Sequence, residues 1–250
     1  KAVLSGIGAD EILGGYPSFK RMGLLKFLSK LPDFILRKGI NFKQNAFKRA
    51  YYLSYNNTVG KYLFLRGIYT PNEIASLLNI SIKQVDDVLM GMKIANIPDH
   101  LTNEKEASWL EYNLYMQNQL LKDTDNMSMQ HGIEVRVPFL DHEFVALVRN
   151  IKSPLKFNGS LPKSLLIKAF FNILPKAIWN RPKMGFTFPF AKWLIKNDTF
   201  INGLDDSENE SIQKLKIQFI SGDLHWSKAI SLYHILNYKP IFKQITAAVA

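Results

Sequence analysis

The chain has 250 residues, 47% of them apolar and 21% charged, which excludes whole-chain disorder and leaves room for one large domain or two small ones. It holds no cysteine, which excludes disulfides, thiolate catalysis, zinc–thiolate sites and iron–sulfur clusters and fits a reducing cytoplasm. The formal charge of +11 is spread along the chain without a long basic run, so it reads as a solvated basic surface, with nucleic-acid binding as the minor alternative.

Ala2-Val3-Leu4 is a short apolar run closed by Ser5-Gly6. It reads as a buried parallel strand leading into a loop, and no second strand of that kind stands out. The sequence opens inside this strand, without Met and without signal-peptide features, so upstream sequence is expected. Nearly everything that follows carries helical signals, so the fold class expected for the fragment is mainly α with one short parallel strand at the start. Residues 20–100 form a variable helical region whose segment 21–60 is aromatic, basic and weakly periodic. Within it, Thr70-Pro71-Asn72-Glu73 combines a cap, a first-turn proline and a capping-box acid, which predicts a short helix ending near Asn79. Ser81 with Gln84 is a second capping box and opens a helix from Ile82 to Met90. Two short capped helices in tandem keep a helix–turn–helix as a minor idea.

The helical core spans 101–200. Trp109, Leu110, Tyr112, Asn113, Met116, Leu120 and Leu121 place a stripe at helical spacing between about Asn103 and Leu121. Asp141 is placed to cap His142–Arg149; Ser164–Leu174 is closed by Pro175; Thr187 and Pro189 introduce Phe190–Lys196. The C-terminal part, 201–250, begins with a polar, acidic stretch (202–211) that reads as a loop and ends with a helix from His225 to Asn237. No apolar stretch reaches the ~18 residues of a membrane span. The five histidines show no paired metal-ligand spacing.

Three segments carry chemistry. In Ser5-Gly6-Ile7-Gly8-Ala9-Asp10-Glu11-Ile12-Leu13-Gly14-Gly15-Tyr16 a strand enters a Gly-rich turn and then a segment opening on two acids. Glycines let a backbone approach a ligand, and turn N–H groups can hold an anion. Two acids would repel that anion unless a cation bridged them, which Mg²⁺ on a nucleotide phosphate does. The bland alternative is a tight turn followed by a helix with first-turn acids. In the second segment, Asp123 and Asp125 precede Glu134-Val135-Arg136-Val137-Pro138-Phe139-Leu140-Asp141. Glu134 and Arg136 read as a buried structural ion pair or as functional charges, and the two aspartates as candidates to line a cleft. In the third, Arg181-Pro182-Lys183-Met184-Gly185-Phe186, a rigid loop carries Lys183. That lysine either is solvated or neutralises phosphate charge in a transition state.

In this order and spacing the three segments resemble the synthetase domain of asparagine synthetases, most closely over 3–19, 108–145 and 160–195. The resemblance implies the C-terminal portion of an α/β pyrophosphate-loop ATPase (adenine nucleotide α-hydrolase-like) domain, with 1–19 as strand and nucleotide/Mg²⁺ loop. It implies an ATP-dependent ligase that adenylates a carboxylate and forms the amide with ammonia from a glutaminase domain. Ser5 and Gly6 match positions whose backbone contacts ATP, Asp10 matches a Mg²⁺ ligand, Glu11 lies beside it facing the substrate, and Lys183 matches the lysine that stabilises adenylation. Cytoplasmic location, no membrane contact and a homodimer are the companion expectations.

Two departures qualify the match. The family's Ser-Gly-Gly-x-Asp-Ser pyrophosphate loop does not occur in the chain, so it is expected upstream with the second Mg²⁺ ligand and the glutaminase; the fragment alone is then expected to be inactive. Ile7 stands where well-studied asparagine synthetases have glutamate. Isoleucine cannot accept a proton, which opens acceptors other than aspartate, such as sugar acids. The competing readings are a basic nucleic-acid-binding helical module and a scaffolding homologue.

Overall fold

The computed structural model describes residues 1–41, 45–101, 103–159, 161–180, 188–205 and 208–237. The chain divides into two compact units, 1–31 with 94–182 and 32–93 with 183–250.

In the first unit Ala2–Leu4 (β1) pairs in parallel with Glu134–Arg136 (β2), in the register Ala2↔Glu134, Val3↔Val135, Leu4↔Arg136. These form the one two-stranded sheet among the described residues. The expectation of a single strand is therefore corrected: β2 is only three residues long, and its charged–apolar–charged pattern gives too little periodicity to stand out. β1 is also exposed, not buried, with Leu4 at 76%. From Glu104 the backbone stays helical to Met129, well past the expected end at Leu121. Its middle turns, Glu111–Leu120, wind as a π-helix. Leu110 and Met116 of the predicted stripe are buried.

Asp141 caps His142–Asn150 as its position suggests, its Oδ1 accepting from the N–H groups of Glu143 (3.0 Å) and Phe144 (3.1 Å). Ser164–Ala169 is shorter than expected, the chain leaving the helix before Pro175. Ile12, Leu13 and Val148 form one buried cluster in this unit, packed by Tyr112, Phe144, Leu165 and Leu166. Each such large side chain contributes about 1.5–3 kcal/mol by leaving water.

The second unit is all helical among its described residues. Both capping boxes form: Thr70 Oγ1 accepts from Glu73 N–H (3.4 Å) at the start of Pro71–Leu78, and Ser81 Oγ from Gln84 N–H (3.2 Å) at the start of Ile82–Gly91. The aromatic, basic region without clear periodicity becomes short helices, including the 3₁₀ segment Arg49–Tyr55. There Tyr51 and Tyr55 hydroxyls donate to the buried Asp86 carboxylate at 2.9 and 2.7 Å, and Arg37 adds an ion pair at 3.0 Å. Part of the expected loop 202–211 is helical, because Asn209 caps Glu210–Ile220. Phe219 and Ile212 of that helix pack with Phe200, Leu204, Leu77 and Leu232. No helix among the described residues is long and apolar enough to cross a membrane.

Candidate functional site

The loop after β1 is built from short-range bonds that its sequence makes necessary. Ser5 N–H donates to Arg136 O (2.8 Å), carrying the parallel ladder one residue past β1. Ile7 N–H then reaches Ser5 Oγ (3.4 Å), and Ala9 N–H reaches Gly6 O (3.3 Å). Gly8 sits at φ +99°, where an L side chain is strained, and a Cβ there would run into the Leu140 side chain. From this turn the helix Ala9–Leu13 starts, and Gly14 ends it in the left-handed region at φ +82°.

Glu11 ties the turn together. Its Oε2 accepts from Gly8 N–H (3.0 Å) and its Oε1 from the Tyr16 hydroxyl (2.7 Å). The residue is 1% exposed. Burial holds its carboxyl above the usual range, against the opposing pull of the Tyr16 hydrogen bond. Burial and the adjoining carboxylate likewise push the Tyr16 phenol upward.

Asp10, half-buried, has a different setting. Its Oδ1 accepts from Lys163 Nζ at 2.7 Å, across 153 residues of chain. Lys163 itself is held at φ +57°, and its N–H donates to Gly14 O (3.4 Å). A non-glycine residue in the left-handed region costs about 1–2 kcal/mol, and such strain tends to persist at functional sites. Gly15 is required beside it, since a Cβ there would overlap the Asp10 carboxylate. Gly6 is exposed, with open space where a Cβ would stand, so a ligand can approach its backbone.

Thus Ser5 and Gly6 lie in the loop after β1 and Asp10 and Glu11 on the short helix it opens, with Asp10 half-buried and Glu11 enclosed. Lys183 lies outside the described residues, as do the rest of its loop through Thr187. Glu134 and Arg136 do pair (3.0 Å), but both are exposed, which corrects the buried ion pair expected for them. A strand only three residues long, in a two-stranded sheet, does not enclose its side chains; the Arg136 carbonyl, which accepts from Ser5 N–H, is what touches the loop. Asp123 and Asp125 are exposed on Leu121–Met129. Sequence reasoning gave no role to Lys163 or to the Tyr16 hydroxyl. Tyr16 could have been found from its nearness to Glu11; Lys163 left no local signal.

Does this donor set suit magnesium and a nucleotide? No group of three or more His, Cys, Asp or Glu side chains among the described residues could cage a metal. Mg²⁺ commonly takes only one or two carboxylates and completes its shell with waters and phosphate oxygens. One hard carboxylate on the helix that follows an exposed glycine turn, held by a lysine, fits that mode. It does not fit a protein-only cage.

A family model described as asparagine synthase matches residues 1–218. The glutamine-hydrolyzing asparagine synthetase 1 of Bacillus subtilis is 28% identical over 209 residues, covering 78% of this chain and 32% of that protein. The asparagine synthetase 3 of the same organism is 43% identical over 70 residues, 28% of this chain and 11% of its own. The asparagine synthetase of Cricetulus griseus is 31% identical over 147 residues, covering 57% and 25%. The chain spans about a third of the length of the first of these relatives. No solved structure matches it.

Proposed function

Because the chain belongs to the asparagine synthase family, we propose that it supplies the C-terminal portion of a pyrophosphate-loop ATPase domain whose reaction is ATP-dependent amide formation. The observation that carries this reading is the turn itself: an exposed Gly6 backbone leads into a short helix whose Asp10 carboxylate is braced by Lys163. In this reading the backbone of Ser5 and Gly6 receives the nucleotide, and Asp10 holds Mg²⁺ jointly with phosphate oxygens. That ion supplies charge neutralisation on the phosphates. Lys163 orients the Asp10 carboxylate and adds a positive charge next to it. Lys183 stabilises the charge that develops as a substrate carboxylate is adenylated and pyrophosphate leaves.

Glu11 stays part of the site as a positioning residue. Its two oxygens are committed to Gly8 and Tyr16, and its burial supports that role over direct contact with substrate. The second substrate is ammonia delivered by a glutaminase domain, as the names of the relatives imply for those proteins. The cytoplasm, which supplies ATP, is the proposed location. Residue 7 favours a specific variant of the reading. A half-buried isoleucine between the two loop glycines offers no proton acceptor, which favours an acceptor carboxylate other than aspartate, such as a sugar acid.

The test is carboxylate-dependent exchange of labelled pyrophosphate into ATP, measured on the gene product that carries this chain, with aspartate and a panel of sugar acids. Exchange with at least one carboxylate, abolished by Lys183→Ala, is the expected result. An unchanged rate in that variant removes the lysine's role. No exchange with any carboxylate removes the reading.

A further inference from the structure

The first unit holds a second set of charges that the loop does not use. Lys105, Arg149 and Lys156 line one cleft of about 430 Å³, and no aspartate or glutamate lines it with them. Among the described residues none of the three makes an ion pair: the two lysines donate to backbone carbonyls, and the Lys156 ammonium also lies 4.8 Å from the Phe157 ring centre. Lys105 Nζ donates to Arg149 O (3.4 Å), and Lys156 Nζ to Val148 O (3.0 Å). Lys156 is 2% exposed. A buried ammonium without a carboxylate is costly, and one carbonyl uses only one of its three donors. Burial, then repulsion from Lys105 and Arg149, draws its pKa from 10.5 down to about 8.

The walls are flat and aromatic. Trp109 and Tyr112 line the cleft, and the Arg149 guanidinium lies 4.8 Å over the Tyr112 ring, which limits its freedom before any ligand arrives. Three like charges gathered at one concave place, one of them buried, destabilise the unit unless an anion joins them. Partial negative charge at the C-terminal end of His142–Asn150 accounts for two of the contacts. It is worth about 0.3–1 kcal/mol for an exposed cation and up to about 2 kcal/mol for a partly buried one, and Arg149 sits in the last turn of the same helix, so all three cations share one partial negative charge. A single carboxylate would leave two of the three positive charges unbalanced, whereas a dianionic phosphate leaves one and can take donors from a guanidinium and two ammoniums together.

We propose that this cleft binds a small organic phosphate, its dianionic head between Lys105, Arg149 and Lys156 and a planar portion against Trp109 and Tyr112. The site is separate from the loop and does not depend on the reading of Asp10 or Lys183.

Calorimetric titration of the full chain with phenyl phosphate, and with inorganic phosphate as the comparison, tests it. Saturable binding is expected, with phenyl phosphate the tighter of the two. Arg149→Ala should weaken it by about tenfold or more, as loss of a charge-assisted contact does. Asp10→Asn should leave it unchanged. At pH 8 binding should take up protons, because the bound dianion favours the Lys156 ammonium, and this uptake should vanish in Lys156→Met. No binding at millimolar phenyl phosphate overturns the proposal, as does an Arg149→Ala variant that melts like the parent and binds equally well. Loss of binding in a folded Asp10→Asn variant would move the phosphate to the loop and also overturn it. Equal affinity for the two phosphates would overturn the aromatic half.

Discussion

Lys156→Met isolates the cost of the buried ammonium. A fall in pKa from 10.5 to about 8 corresponds to ~3 kcal/mol against the charged form at neutral pH, at 1.36 kcal/mol per pH unit. Solvent entering the cleft screens part of this, leaving on the order of 1–2 kcal/mol. Methionine keeps most of the buried stem but gives up the hydrogen bond to Val148 O, a loss of about 1 kcal/mol. At pH 7 the variant should therefore be as stable as the parent or more stable by about 1 kcal/mol, against the usual destabilisation of a buried-site change.

The pH dependence separates the terms. Between pH 8 and 10.5 the unfolded parent binds more protons than the folded one, so its stability rises with pH across that window. Below pH 8 the full penalty is present. Urea unfolding midpoints at intervals from pH 7 to 10 should rise for the parent relative to the variant. Parallel profiles would show that the lysine carries no such penalty, and the reasoning for the cleft would lose its electrostatic basis.

Gly8→Ala combines a disallowed φ with overlap on Leu140 and should cost about 2–4 kcal/mol in denaturant unfolding; less than ~1 kcal/mol would mean the turn relaxes freely. Asp86→Asn leaves Arg37 without its counter-charge and one of the two tyrosine hydroxyls facing an amide NH₂ in place of an acceptor, for a loss of about 2–3 kcal/mol, read the same way. Lys163→Gly relieves the left-handed strain while removing the Asp10 partner. It should keep stability within about 1 kcal/mol of the parent yet lower pyrophosphate exchange by about tenfold or more. Unchanged exchange would show that Lys163 does not brace the loop.

What the sequence by itself determined is local. The Thr70 and Ser81 boxes, the Asp141 cap and the glycine turn from Gly6 to Gly15 all join residues within a few positions, where spacing alone states which donor meets which acceptor. Glu11 was legible as a candidate residue of this turn, though its enclosure by Gly8 and Tyr16 was not.

Only the tertiary structure decided the rest. β1 meets β2 across more than a hundred residues, Lys163 meets Asp10 across 153, and Lys105, Arg149 and Lys156 come from three separate helical segments. Contacts of that range leave no period or motif in one sequence. They arise when apolar faces such as Ile12, Val148 and Tyr112 pack and bring along whatever charges their segments carry.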